Sequence, residues 1–577
     1  MILHPILGLA FFLLILSVTV QGAVIEFNWT VNYLRWAPDC VDKLVIAINE
    51  GFPGPTINVT EGDTIKVNVL NKLPTEGIVI HWHGMHQKGT PWADGTAFVS
   101  QCPIGPGEEF LYEFVAARVG TYFYHGHHGM QRAAGFYGAL NVHPRNRTVE
   151  PFKYDKEYTI LLNDWWHKSV HEQEYNLLAD SFKWVGEPQS LLIGGRGAYN
   201  CSKVPNFPGA SSDTGDFVKC NSSSPQCVPF SITVDPGKTY RLRISSVASL
   251  AALNFILEGH VMTVVEVDGH YVKPVVVDNL DVYSGESFSV LFTADQDPSR
   301  NYWAGVNVRA RLPSTPTGVA VLSYNPNDPG MLPTTPRPVS PAWNDFALSM
   351  SKAKQYVAHP DFKEPLPQKA TDRHLFLLNL QNTWKNGRRW SANNISFVPT
   401  STPILAAYKY NLMGEAPASP PDSYPTDYNI SAPPPFPEAN EGHAAYEFNL
   451  GDVVDVIIQN ANSLTASNSE IHPWHLHGHD FWLLGYGNGK FNVSTDYATM
   501  DTSQAPRRNT VPVFPWGWTV IRFVADNPGL WPFHCHIEPH LHMGMGVIFG
   551  EGLNQLPDMP KRTLGCGLTK DNSNIGI

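Results

Sequence analysis

The sequence predicts an all-β protein made of three consecutive β-sandwich domains. Length is the first observation: 577 residues are too many for one core, and a composition 43% hydrophobic and 12% aromatic can bury several. Composition is the second, since Gly (46) and Pro (48) are plentiful while charged residues are only 16%, which favours strands and turns over helices. The third is a repeat that runs the length of the chain.

The repeat has two parts. Asn58-Val-Thr-Glu-Gly62-Asp-Thr-Ile-Lys-Val, Thr233-Val-Asp-Pro-Gly237-Lys-Thr-Tyr-Arg-Leu and Phe448-Asn-Leu-Gly451-Asp-Val-Val-Asp-Val each read as a turn followed by apolar/polar alternation. That pattern predicts a hairpin entering a half-buried strand. About 45 to 65 residues later come Gly107-Glu-Glu-Phe, Gly285-Glu-Ser-Phe and Gly517-Trp-Thr-Val. Recurrence on this scale implies three copies of one sandwich, placed at 23–150, 151–330 and 370–577 with a linker over 331–369. The Pro-rich run from Asn325 to Pro341 begins that surface connection, and Pro417 to Pro437 reads as an excursion within the third copy. No segment carries helical heptads, so helices should be short and peripheral.

Residues 1–22 read as a signal peptide, with an apolar stretch from Ile6 to Val20 and cleavage before Ala23. The stretch is short for a membrane anchor, which needs about 20 apolar residues. Eight Asn-x-Ser/Thr acceptors (Asn28, Asn58, Asn146, Asn200, Asn221, Asn394, Asn429 and Asn492) agree with secretion to the cell exterior, apoplast or cell wall. The net charge of −12 argues against nucleic acid as a partner and requires any affinity for an anion to be local. Seven cysteines in an oxidising compartment leave one unpaired.

The chemistry sits in four histidine pairs: His81-Trp82-His83, His125-Gly126-His127, His475-Leu476-His477 and His534-Cys535-His536. On a strand, residues i and i+2 share a face, so each pair presents two imidazoles in one direction, and imidazole suits copper. One lone pair would be ordinary; four at equivalent points of two copies are a metal site. The middle copy is an internal control, with Ile256-Leu-Glu-Gly259 and Tyr302-Trp-Ala304-Gly at those points, and reads as a scaffold. Cys535 faces away from its histidine neighbours. With His540, an upstream His472 and a weak axial Met545 it makes a blue-copper ligand set, which accounts for the odd cysteine.

These motifs resemble those of the multicopper oxidases, over essentially the whole mature chain, and most of all the ascorbate-oxidising members from plants. The resemblance implies cupredoxin-like Greek-key domains and four coppers. His472, Cys535, His540 and Met545 would hold type 1 copper, and His81 and His475 type 2. His83, His125, His127, His477, His534 and His536 would hold the type 3 pair. It implies bridges Cys40–Cys227, Cys102–Cys566 and Cys201–Cys220, the last closing a segment longer than the family's usual loop. Asp94 and Glu538 match acidic positions with proton-relay or hydrogen-bonding roles, and Trp184 and Trp390 match tryptophans that line the reductant pocket beside His540.

The implied partners are ascorbate and O2, with no nucleic acid and no membrane anchor; a homodimer is compatible. Arg309 or Arg311 would attract the ascorbate anion. The rival reductant is a phenol, as in laccases, against which the thioether of Met545 argues because plant laccases usually carry an aliphatic residue there. A non-catalytic cell-wall relative would lack several ligands, and no acidic iron-docking cluster is evident beside His472 or His540.

Overall fold

The three repeated turns close on glycines with positive φ, Gly62 (85°), Gly237 (78°) and Gly451 (88°), a region that side chains with a Cβ avoid. The computed structural model describes residues 22–146, 150–203, 219–412, 420–423, 427–434 and 438–570. Residues 1–21 of the expected signal peptide, most of the Cys201–Cys220 segment and parts of the 417–437 excursion lie outside them.

Among the described residues, six sheets form three two-sheet sandwiches. The first pairs a sheet built on Val24–Trp36 and Thr64–Asn71 with one ordered Ile57–Thr60, Tyr137–His143, Gly120–Gly126, Ile80–His83. The second has six- and five-stranded sheets, and the third has eight- and five-stranded sheets. Within each sandwich a strand pairs in parallel with one far along the chain, as Val24–Trp36 does with Thr64–Asn71, so the connections cross over rather than meander.

The repeated turns differ from the hairpins expected. Ile57–Thr60 and Thr64–Asn71 belong to different sheets, as do Phe230–Val234 and Thr239–Ser246, and Ala445–Phe448 and Val453–Asn460. Each turn is therefore an arch from one sheet to the other. Period-two alternation says which face a side chain takes, and it is silent on which strand lies alongside.

Thr64–Asn71 alternates in burial as the pattern predicts. Val453–Asn460 is buried on both faces, because Asp455 on its polar face is covered and paired with Arg522 (2.6 Å). Thr239–Ser246 is similar, with Arg241 and Arg243 buried against Glu150, Glu266 and Glu157.

The linker is structured. The Trp303 indole N–H donates to Thr335 O (2.9 Å), and the helix Phe346–Ala353 is capped by the Asp345 side chain. Helices are short, as expected. The helix Glu538–His542 is not peripheral, however: it lies at the junction of the first and third sandwiches and carries two of the site residues.

Disulfides Cys40–Cys227 and Cys102–Cys566 tie the first sandwich to the second and third, and Cys201–Cys220 closes a local loop. Cys535 is free and buried.

Candidate metal centre

Strand register brings the histidines together. Ile80–His83 runs antiparallel to Gly120–Gly126 with His81 opposite His125, and His472–Leu476 runs antiparallel to Gly529–Cys535 with His475 opposite His534. The two sandwiches thus repeat one arrangement. Of the four pairs, His81/His83 has both members within a strand; in the others the second histidine, His127, His477 or His536, falls one residue past a strand end. There the chain turns on glycine after two of the pairs: a Cβ on Gly84 would lie 2.5 Å from the Tyr122 ring, and one on Gly478 2.3 Å from the Trp531 ring.

The ring nitrogens face one another across the junction. Nε2 to Nε2 distances are 3.3 Å for His81–His475, 3.2 Å for His127–His534, 3.0 Å for His477–His534 and 3.4 Å for His125–His536. Three triads have nitrogens mutually within 4.8 Å: His81/His475/His477, His81/His83/His125 and His127/His477/His534.

The opposite nitrogens fix the tautomers. His81 Nδ1 donates to Asp94 O (2.8 Å), His125 Nδ1 to Gly126 O (2.8 Å), His475 Nδ1 to Asn509 O (2.9 Å) and His534 Nδ1 to Cys535 O (2.9 Å). A ring whose Nδ1 carries the proton presents an Nε2 lone pair. His83 is reversed: its Nε2 lies 3.2 Å from both Asn509 Oδ1 and Thr510 Oγ1, and its buried Nδ1 has no hydrogen-bond partner.

Burial disfavours the charged form of an imidazole. It pushes His83, His125, His127, His475, His477 and His536 well below the usual imidazole range, with neighbouring rings adding to the effect in each, and His534 down to about 3. Where both Nδ1 protons are committed outward, as at His81–His475 and His477–His534, lone pairs face each other at hydrogen-bond distance and repel. Cations between them remove the repulsion, so the donor set fits copper.

His536 sits at the edge of this cage. Arg132 Nη1 lies 2.6 Å from its Nδ1, and Ser284 Oγ lies 2.9 Å from the same nitrogen. Nothing in the spacing of the sequence pointed to Arg132, Ser284, Asn509 or Thr510, which reach the site from loops and neighbouring strands.

Asp94 is fully buried at the end of the short helix Pro91–Asp94, and its Oδ2 accepts from His477 Nδ1 (2.9 Å) and Thr96 Oγ1 (2.6 Å). Gly95 after it is obligatory, since a Cβ would come within 1.7 Å of Ile80 O. Glu538 accepts from the Arg132 and Ala133 amides (2.9 Å each). Burial raises its pKa, opposed by Arg132 and those amides.

A second donor set lies behind Cys535. Its Sγ is 3.6 Å from His472 Nδ1 and 3.8 Å from His540 Nδ1, and the two nitrogens are 3.2 Å apart. The Cys535 amide donates to Met545 O and the Met545 amide to His540 O (3.0 Å each), which fixes the three residues relative to one another. The Met545 side chain is buried there. Burial pushes the Cys535 thiol up and His472 down to about 3, so without metal both are neutral. Copper would convert the thiol to a thiolate.

Trp390 is buried, its ring centre 4.6 Å from that of His540, while half-buried Trp184 is 5.9 Å from His540. The two arginines part company. Arg309 is sealed in, bonded to Ser349 Oγ (2.7 Å) and beside Asp281 (3.3 Å). Arg311 lies 6.0 Å from the Trp184 ring and pairs with Glu187 (2.6 Å) and Glu470 (3.2 Å). Glu470 is 3.7 Å from His540 Nε2, and tertiary contact brings Glu187 to the same arginine from far along the chain. Both share Arg311, which offsets their charge.

Models of the multicopper oxidase family match residues 30–147, 156–327 and 415–554. The chain belongs to the multicopper oxidases. Among its relatives, the L-ascorbate oxidase of Cucumis sativus is 51% identical over 94% of this chain and 92% of its own length. Laccase-12 of Arabidopsis thaliana is 34% identical over 88% of this chain and 89% of its own length. The laccase of Botrytis aclada superposes with a TM-score of 0.75 at 25% identity, over 96% of this chain and 91% of that one.

Proposed function

We propose that the protein is a secreted copper oxidoreductase that oxidises ascorbate in one-electron steps and reduces O2 to water. The observation that carries the copper chemistry is the placement of Cys535 Sγ beside two imidazoles while its sequence neighbours His534 and His536 turn to the opposite cage. Four coppers would be held: one by His472, Cys535, His540 and Met545, one by His81 and His475, and two by His83, His125, His127, His477, His534 and His536. Bound there, copper supplies one-electron oxidation at the thiolate site and four-electron reduction of O2 at the cage.

The residues divide the remaining work. Three consecutive residues, His534 to His536, join the two donor sets covalently. Asp94 holds His81 and His477 in the tautomers that face the cage. Trp184 and Trp390 supply flat apolar walls next to His540, and Arg311 supplies a positive group at that side.

Ascorbate is favoured over a phenol by the greater identity to the ascorbate oxidase, 51% against 34% for the laccase. Secretion is supported by the apolar start of the sequence and by the exposure of most of the sequence's Asn-x-Ser/Thr acceptors. Oxygen uptake with ascorbate against syringaldazine tests the reductant. We expect ascorbate to be preferred; a tenfold preference for the phenol would overturn that assignment and leave the copper sites standing.

A further inference from the structure

A cavity of about 200 Å³ leads to the histidine cage, and His125, His127, His534, His536, Glu538 and Glu174 line it. It shares no lining residue with the smaller pocket beside Arg311 and Glu470. Glu538 is almost wholly buried, whereas the Glu174 side chain, on the helix Val170–Leu178, is 31% exposed. The two carboxyls therefore occupy the inner and outer parts of one passage.

The reaction under Proposed function, on which this inference rests, needs such a passage. Reduction of one O2 to two waters takes up four electrons and four protons. Oxidation of four ascorbate monoanions to the radical anion releases four electrons and four protons, but at the Trp184 and Arg311 side. Protons consumed at the cage must be supplied from solvent by another way.

We propose that Glu174 is the outer station of a proton path through this cavity, passing protons from solvent inward to Glu538 and the cage. The surroundings fit a carrier. Glu76 and Tyr33 face Glu174 from the first sandwich and Glu538 and His542 from the helix beneath it, while His128 and Arg132, from the segment after His127, line the same cavity. His542 Nδ1 lies 3.8 Å from Glu174 Oε1. Burial, then Glu76 and Glu538, raise the Glu174 carboxyl to about 7, where it both holds and releases a proton near neutrality. Gly129 has φ 55°, and a Cβ there would fall 2.3 Å from Glu174 Oε1, so the glycine keeps the space the carboxyl occupies.

The test compares Glu174→Gln and Glu174→Asp with the native, copper-loaded enzyme. Bleaching of the blue absorption by ascorbate without oxygen should be unchanged in Glu174→Gln. Turnover in saturating oxygen and reductant should fall about tenfold or more at neutral pH, losing its inflection there, with partial recovery in Glu174→Asp. In copper-free protein, infrared titration should show carboxylic acid absorption that disappears near neutrality; Glu174→Gln should lack the Glu174 component and keep that of buried Glu286, which is also raised to about 7. Native turnover and pH profile in Glu174→Gln would overturn the proposal, and so would loss of copper or blue colour, which marks a structural role. Failure of ascorbate to bleach the native enzyme defeats the ascorbate reading alone; the Glu174 comparison then runs on a phenol.

Discussion

His477 Nδ1 donates to Asp94 Oδ2 across 2.9 Å, although the two residues are 383 positions apart. The same aspartate receives His81 on its backbone carbonyl. One residue thus sets the ring orientation of an imidazole from each outer sandwich. Replacing Asp94 by Ala should lower copper affinity or oxygen reduction about 10- to 100-fold, the usual cost of losing such an orienting partner. Copper content after dialysis against a chelator, with oxygen uptake, measures it.

Cys535→Ser removes the only sulfur anion available to the buried His472/His540 pair. The intense blue absorption should vanish and turnover fall to background, while the cage keeps its metal. Blue colour that survives the substitution would refute the thiolate assignment.

The buried imidazoles make the metal-free protein acid-sensitive. The folded pKa values of His83, His125, His127, His475, His477, His536 and His540 lie below the unfolded value of about 6.5, and burial takes His472 and His534 down to about 3. The unfolded chain therefore binds more protons than the folded one between those limits. The contribution is fully present above about pH 6.5 and is lost as pH falls from there toward 3. Melting of copper-free protein should drop steadily over that interval; a flat Tm from pH 6.5 to 4 would contradict it.

Arg508 is buried between Asp268 (2.7 Å) and Glu286 (2.6 Å) of the second sandwich. It lies two residues before Thr510, whose strand Thr510–Val513 pairs with the histidine-bearing strand His472–Leu476. Asp268→Ala breaks a buried ion pair and should cost about 3–5 kcal/mol, read by denaturant unfolding, with loss of copper as a secondary effect.

Arg311 offsets two carboxylates next to His540. Arg311→Leu leaves Glu187 and Glu470 to repel an anion, so KM for ascorbate should rise about tenfold, equivalent to roughly 1.4 kcal/mol. KM for an uncharged phenol should change much less. Equal changes for both reductants would remove Arg311 from a charge-selective role.

The parts of this protein legible in its sequence are those fixed by local pattern. Histidine spacing and the period-two runs depend on neighbouring residues alone, and the parity of the cysteines needs only a count. The middle copy's Ile256 and Glu258 marked it as free of ligands for the same reason. What the pattern did not carry depends on distant packing. The arches between sheets, Arg132 against His536, Glu174 in its cavity and the shared Arg311 pair all arise where segments far apart meet. The helix Glu538–His542 was hidden by its own composition: with Pro539 at its start and two histidines in five residues, it has no helical period to read.

His127 and His534 touch across 407 residues of chain. A growing polypeptide reaches its first four cage imidazoles when most of it is still unmade, and their partners arrive only in the closing stretch of synthesis. Of the three triads, His81/His83/His125 alone needs nothing from the third sandwich. Loss of a short C-terminal piece that includes the strand Gly529–Cys535 takes Cys535 from one centre and His534 from the other at once, however well the first two sandwiches fold.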